Sequence, residues 1–327
     1  MSDNTSTDNV ETTRGSVLLC PGQGAQQVGM GKAWAECSAA ARRTFEQADE
    51  ALGMPLSRVC FEGPEDRLNR TDVAQAAIYT TSVAAYGALR EEGRITQVTA
   101  TAGLSLGEFT ALHLAGAFDF AAGLRLVRLR GQAMQEAAEA RAGGMVAVIA
   151  PDDEAVEKLC LGALDRVRAE DHVLVPANFN CPRQVVVSGS IEACEATVEV
   201  AGEMGITAKP LVVAGAFHST LMAPAARRLS AALDQVQWSA PSAPVMSNVT
   251  GRPHDTKNIE SIKGLLVEQL TRPVQWQQCA EWLAAHVLDA QRVPLELEPG
   301  KVLAGLYRRI DRRIKVTHAL PETATTR

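Results

Sequence analysis

TATAGLSLGEFTALHLAG, residues 99–116, joins a short β-prone run to an apolar-periodic helix through Gly103-Leu104-Ser105-Leu106-Gly107. A G-x-S-x-G between a strand and a helix is the pattern of a nucleophile elbow, in which small flanking residues let the backbone make a sharp, strained turn that lifts the hydroxyl clear. The helix that follows aims its first amides at the same point, so a carbonyl attacked by Ser105 would meet the Leu106 N–H where the oxyanion forms. The letters from Ser105 to Glu108 also spell an S-x-x-E capping box, whose serine satisfies a helix amide and does no chemistry. Both readings stand on the pentapeptide, and the rest of the chain has to separate them.

With 327 residues, 46% of them hydrophobic, the chain can bury one large core and a smaller second domain. A net charge of −6 with no long basic stripe argues against a nucleic-acid binder. The seven cysteines, at positions 20, 37, 60, 160, 181, 194 and 279, form no C-x-x-C pair. They indicate neither a disulfide framework nor a metal site and fit a reduced, cytoplasmic setting. Residues 1–14 lack the basic start and apolar centre of a signal peptide, and no run approaches bilayer length, so no membrane association is expected. Residues 1–14 and 320–327 are polar and read as disordered tails.

Upstream of the elbow, Ser16 to Cys20 reads as a buried parallel strand feeding the loop Pro21-Gly22-Gln23-Gly24. Gln27 stands where a dinucleotide fingerprint needs its third glycine, which argues against a nicotinamide or flavin enzyme. Ala33–Ala51 and Asp72–Leu89 have the spacing of amphipathic scaffold helices. Downstream, Asp119 can cap a helix over Phe120–Ala140, where Leu126, Val127, Arg130, Ala133, Met134 and Ala137 form one stripe. Arg130 interrupts that apolar face, whereas Arg125, Arg128 and Arg141 lie off it and read as solvated. An inward guanidinium needs an anion, supplied either by a protein carboxylate or by a ligand.

The rhythm changes at Gly143-Gly144. Strands over Met145–Ile149, Val173–Asn178, Gln184–Val187 and Ile206–Val213, with helices over Asp153–Leu164 and Ile191–Met204, give the order βαββαβ of a ferredoxin-like unit. The fold class is therefore α/β: a large α/β-hydrolase-like domain with a parallel sheet, residues 15–139 and 212–319, interrupted by a small ferredoxin-like domain at 140–211. The polar turn Asn178-Phe179-Asn180-Cys181-Pro182 could face a cleft. His218, one of six histidines, follows an apolar run in a glycine-containing loop, where a scaffold presents catalytic groups. Met246 to Gly251 reads as a strand running into a turn, and Val293 to Leu297 as another strand.

Eight segments in register resemble the malonyl-CoA:acyl carrier protein transacylases and the similar acyltransferase domains of fatty-acid and polyketide synthases. They are PGQG (21–24), FEGP (61–64), GLSLGE (103–108), RLRGQAM (128–134), GAFHS (215–219), NVTG (248–251), PVQW (273–276) and PGKVLAGL (299–306). The resemblance implies Ser105 as acyl-accepting nucleophile and His218 as general base. It implies an oxyanion hole from the Gln23 and Leu106 amides, Arg130 on the malonyl carboxylate, and Gln275 orienting His218 through its backbone carbonyl. Asn178 and Asn180 match a polar substrate-binding segment.

By the same resemblance, malonyl-CoA and an acidic acyl carrier protein are the partners, no metal or bound cofactor is needed, and the chain is expected to be a monomer. The densest basic run, Arg308, Arg309, Arg312, Arg313 and Lys315, could dock the carrier protein or be a solvated face. Leu104 replaces the family's usual histidine, Ala76 a frequent proline and Glu298 a usual glycine, and none of these removes a reacting group. Phe217 leans towards the malonyl-selective members. The alternatives are a serine esterase or thioesterase, an acyltransferase for another acyl-CoA, and a non-catalytic carrier-protein binder.

Overall fold

The computed structural model describes residues 15–167, 171–289 and 292–321. The tail expected at 1–14 lies outside the described residues, as does the tail expected at 320–327 from residue 322 onward. In the large part, β1 (Ser16–Cys20) is followed by α1 (Lys32–Cys37), α2 (Ala39–Leu52), α3 (Leu56–Glu62), α4 (Glu65–Asn69), α5 (Thr71–Glu91), β2 (Val98–Gly103), α6 (Leu106–Leu114) and α7 (Phe120–Ala140). A second part contributes β3 (Gly143–Ile149), α8 (Asp153–Val167), β4 (Leu174–Cys181), β5 (Gln184–Ser190), α9 (Ile191–Glu203) and β6 (Thr207–Pro210). The chain then returns with α10 (Ala223–Leu233), α11 (Ile259–Glu268), α12 (Trp276–His286), β7 (Pro294–Glu296), α13 (Val302–Ile310) and β8 (Thr317–His318).

β1 is the centre of the first sheet, whose order β2-β1-β7-β8 is parallel throughout. Its side chains alternate between two cores. Leu18 and Cys20 pack among α2, α5, α6 and α7, while Val17 and Leu19 pack against Trp276, Leu283, Leu303 and Tyr307 of α12 and α13. Burial on both faces explains why this strand is apolar at every position from 17 to 20. β2 ends where α6 begins, so the elbow sits at the carboxyl end of a parallel strand, where open α/β sheets present their ligand crevices. The second sheet has the order β4-β5-β3-β6 and is antiparallel throughout, with α8 and α9 closing a core of Val146, Val148, Leu159, Val187 and Ala201. All four of its strands fall between residues 143 and 210.

Several boundaries differ from the expected ones. The helix read over 33–51 is two helices, because Ser38 is extended (φ −121°, ψ 130°), accepts from the Ala41 amide at 3.2 Å and donates to Glu91 at 2.7 Å. The last strand of the second sheet stops at Pro210, the Leu211 amide still donates to the Met145 carbonyl at 2.9 Å, and Leu211, Val212 and Val213 line a cleft. The turn read at 178–182 is strand as far as Cys181, the end of β4. Val245 and Met246 make only isolated bridges, and the segment turns at once, with its Asn248 committed to the elbow. Arg128 is not simply solvated: it pairs with Asp72 at 3.2 Å. Glu298 accepts from the Gly31 amide at 2.8 Å, which gives this carboxylate a partner in the loop before α1.

Candidate active site

Ser105 has φ 52° and ψ −100°, a left-handed conformation that a residue with a Cβ adopts only under strain. Tight packing around the turn holds it there. A Cβ at Gly107 would lie 2.1 Å from the carbonyl oxygen of Cys20, and one at Gly22 would lie 2.3 Å from that of Leu104. The PGQG loop and the elbow thus press backbone against backbone, which only glycine allows. The Ser105 hydroxyl makes no capping bond to α6. Its amide donates to Asn248 Oδ1 at 2.6 Å, and Asn248 Nδ2 donates to the Gly103 carbonyl at 2.8 Å, so one asparagine clamps both arms of the turn. Glu108 turns away from the Ser105 amide towards His254 and Gln269. The capping-box alternative therefore fails on geometry.

His218 Nε2 lies 2.9 Å from Ser105 Oγ. Its other ring nitrogen, Nδ1, lies 2.7 Å from the backbone carbonyl of Gln269. A carbonyl only accepts, so Nδ1 carries the proton and the Nε2 lone pair faces the serine. Burial, reinforced by the neighbouring Arg130 charge and opposed by the Gln269 carbonyl, pushes the His218 pKa down to about 4. The ring is a neutral acceptor at physiological pH.

The orienting carbonyl is that of Gln269, not Gln275. Gln275 lies at the start of α12, where its amide donates to the Asn248 carbonyl at 2.7 Å and its side chain accepts from Gln278 at 3.1 Å. Gln269 follows the last residue of α11, where helix carbonyls have no intrahelical partner and are free to accept from a side chain. The PVQW motif drew attention to the wrong glutamine, six residues downstream.

Arg130 is 1% exposed. Its Nη1 donates to Gln75 Oε1 at 2.7 Å, and its Nη2 donates to both Gln269 Oε1 and Ser105 Oγ at 2.9 Å. Phe109 lies beneath it, with the ring centroid 5.5 Å from Cζ. Among the described residues no carboxylate lies within ion-pairing distance of it, and its Nε has no hydrogen-bond partner. Burial lowers its pKa to about 10 and the Glu108 charge opposes that shift, so the cation persists at neutral pH. A buried guanidinium held by two neutral amide oxygens is a cation without a counterion at contact, and a ligand carboxylate would supply one.

These groups open onto a cleft of about 490 Å³ between the two sheets, lined by Gln23, Leu104, Ser105, Arg130, Asn178, Asn180 and His218. The amides of Gln23 and Leu106 make no hydrogen bond among the described residues, so both remain available near the nucleophile. Asn180 Oδ1 is buried without a partner among them. The structure thus brings Ser105, His218, Arg130, Gln23, Leu106, Asn178 and Asn180 to one place and leaves Gln275 outside it. Sequence reading missed Gln75, Glu108, Asn248 and Gln269 as parts of the site. Glu108 and Asn248 lay inside quoted motifs, while Gln269 carried no local signal.

A serine on a strained turn at the end of a parallel strand, facing a neutral imidazole, defines an acyl-transferring serine enzyme of the α/β class. The family model described as an acyl transferase domain matches residues 17–309. A malonyl CoA-acyl carrier protein transacylase from Bacillus subtilis is 41% identical over 308 residues, covering 94% of each chain. The crystal structure of an acyl-carrier-protein-S-malonyltransferase from Bartonella henselae superposes with a TM-score of 0.86 at 39% identity, covering 95% of this chain and 96% of that one. A structure of a malonyl-transacylase in complex with a holo type II PKS acyl-carrier protein gives a TM-score of 0.85 at 34% identity, covering 94% and 95%. The chain belongs to the acyl transferase family, among the malonyl CoA-acyl carrier protein transacylases.

Proposed function

We infer that this chain moves a malonyl group from malonyl-CoA to the phosphopantetheine thiol of an acyl carrier protein, through a malonyl ester on Ser105, for fatty-acid or polyketide synthesis. The carrying observation is the buried Arg130 guanidinium, with no carboxylate at contact among the described residues, 2.9 Å from the Ser105 hydroxyl. Malonyl and acetyl thioesters differ by a carboxylate, and a guanidinium grips a carboxylate through two parallel hydrogen bonds.

His218 Nε2 takes the Ser105 proton as Oγ attacks the thioester carbonyl. The oxyanion accepts from the Leu106 and Gln23 amides. The C–S bond breaks, the imidazolium returns its proton to the CoA sulfur, and the acyl-enzyme remains. In the second half His218 deprotonates the carrier thiol, sulfur attacks the ester carbonyl, and the proton returns to Ser105 as the C–O bond breaks. Asn178 and Asn180 line the route by which the thioester arm enters. No metal or bound cofactor has a part in these steps. One chain supplies every group, which supports action as a monomer, and the buried thiols of Cys20, Cys60, Cys160, Cys181, Cys194 and Cys279 support a cytoplasmic setting.

The test is intact-mass spectrometry after mixing with malonyl-CoA or acetyl-CoA, followed by addition of carrier protein. The wild type is expected to gain a malonyl adduct and discharge it to the carrier thiol, while folded Ser105→Ala gains none. Discharge to free malonate would make the chain a thioesterase. Arg130→Ala should lose malonylation by roughly ten- to a hundred-fold, from charged hydrogen bonds of about 1.5 to 3 kcal/mol, while acetylation holds. A parallel fall in both, with a lower melting temperature, would make Arg130 a structural brace and sink the specificity claim.

A further inference from the structure

Behind the reacting groups lies a buried polar cluster that the transfer steps leave unused. Glu108, in the first turn of α6, and His254, in the loop after the Asn248 turn, are both without side-chain exposure. His254 Nε2 lies 2.7 Å from Glu108 Oε1. The other carboxylate oxygen, Oε2, accepts from Gln269 Nε2 at 2.6 Å and from the Asn248 amide at 3.1 Å. Gln269 spends every polar atom of its side chain here: Nε2 also donates to the Ser105 carbonyl at 3.1 Å, and Oε1 accepts from Arg130 at 2.9 Å.

A primary amide has two ends of similar shape and opposite polarity, so packing alone does not choose between them. Charge does. Glu108 accepts only, and demands the NH2 end of Gln269; Arg130 donates only, and demands the oxygen. If the amide were reversed, its N–H groups would face the guanidinium and its oxygen the carboxylate, two repulsive contacts in a buried site. The same residue's backbone carbonyl orients His218.

We propose that Glu108 and His254 form a buried positioning pair which fixes the amide orientation of Gln269 and anchors the residue in place: the amide sets the malonyl-reading guanidinium, and the anchored backbone carbonyl holds the tautomer of the base. His254 is the donor that holds Glu108: its Nε2–H is bonded to Oε1, which leaves Oε2 directed at Gln269. Neither residue touches substrate, and the proposal rests on the malonyl-transfer reading for its kinetic arm only.

The test uses the full chain with Glu108→Gln, His254→Leu and His254→Gln. The first removes the charge at constant volume, the second removes the donor, and the third restores a donor where Nε2 stood. Two readouts are taken: the ratio of Ser105 acylation rates with malonyl-CoA and acetyl-CoA, and the 15N imidazole spectrum of the substrate-free protein, which reads the His218 tautomer. Glu108→Gln and His254→Leu are expected to lower the malonyl-to-acetyl ratio on the order of tenfold, the loss of about one charged hydrogen bond. Both should replace the single Nδ1–H signature of His218 by a mixture, and His254→Gln should retain wild-type values.

A purely structural pair would instead lower the melting temperature and slow both acyl donors alike, with ratio and tautomer unchanged, and that result overturns the proposal. Should Glu108→Gln fail to fold, the two His254 variants decide by the same readouts. If the wild type takes no malonyl group, the transfer reading has failed, and the tautomer spectra still judge the pair.

Discussion

At the scale of single residues, the site works by withholding counterions. Arg130 keeps its charge in a pocket of amide oxygens, and that charge together with burial holds His218 neutral. The His218 shift carries a consequence for stability that can be signed. Its folded pKa of about 4 lies below the ordinary value of 6.5, so below pH 6.5 the unfolded chain takes up a proton that the folded chain refuses. Stability from this group is therefore complete above pH 6.5 and declines as the pH falls to about 4, by a total on the order of 3 kcal/mol. Denaturant melts between pH 7 and 4 should show a shallower decline for His218→Gln than for the wild type, and equal slopes would deny the buried neutral state. In activity, kcat/KM for malonyl-CoA reports the free enzyme, so it should stay level down to about pH 5 and fall only beyond. A midpoint at pH 6.5 would place the ring in a far more solvated setting.

At the scale of elements, the elbow depends on three glycines that sit on backbone atoms of its neighbours. Gly107→Ala places a Cβ 2.1 Å from the Cys20 carbonyl oxygen, at the end of the central strand where nothing flexible can yield. The expected result is loss of at least about 3 kcal/mol or failure to fold. The comparison is Gly116→Ala, with φ +84° and no atom within 4 Å of the new Cβ, where the cost is confined to left-handed strain of about 1 to 2 kcal/mol. Chemical denaturation of the two variants checks the difference, and equal losses would mean that backbone conformation, not packing, fixes the turn. Much of this level was legible in the sequence. The strand-elbow-helix passage, the βαββαβ order and the inward stripe of α7 all follow from local period and turn chemistry. The break at Ser38 was hidden because apolar spacing continues across it, while its cause, Glu91, lies 53 residues away. Gln269 was hidden for the same kind of reason: its neighbours Ser105, Glu108, Arg130 and His218 are between 51 and 164 residues distant. A motif marks a local geometry, and Gln269 acts on the site through four long-range partners.

At the scale of the molecule, the two sheets are joined by more than their linkers, and the join decides where a carrier protein would be read. The outer edge of β4 is hydrogen-bonded to the loop before α12, with Val274 donating to the Ala177 carbonyl at 2.8 Å and accepting from the Phe179 amide at 2.9 Å. The same strand carries Asn178 and Asn180 into the cleft. Just beyond it, Arg309 at the end of α13 donates to Gln184 Oε1 at 2.7 Å, which sets its guanidinium beside the β4–β5 turn that follows the cleft-lining Asn180. Arg313, in the same basic run, is bound instead to both oxygens of Asp311, at 2.9 and 2.7 Å, so its charge is already answered. A carrier protein delivering its thiol to Ser105 must reach that cleft, and if it is acidic, as the family resemblance implies, a chain of net charge −6 attracts it through local positive groups. Arg309→Glu is therefore expected to raise KM for the carrier protein about fivefold, an exposed-charge effect of roughly 1 kcal/mol. Malonylation of Ser105 by malonyl-CoA should stay unchanged, and the KM defect should shrink as salt screens the surface. Arg313→Glu should change the carrier KM by much less. Steady-state transfer from preformed malonyl-enzyme, at low and high ionic strength, separates the two variants. If Arg309→Glu matches the wild type at low salt, or if Arg313→Glu is the more damaging, the carrier protein docks on a different face from the one that the β4–β5 turn and α13 share.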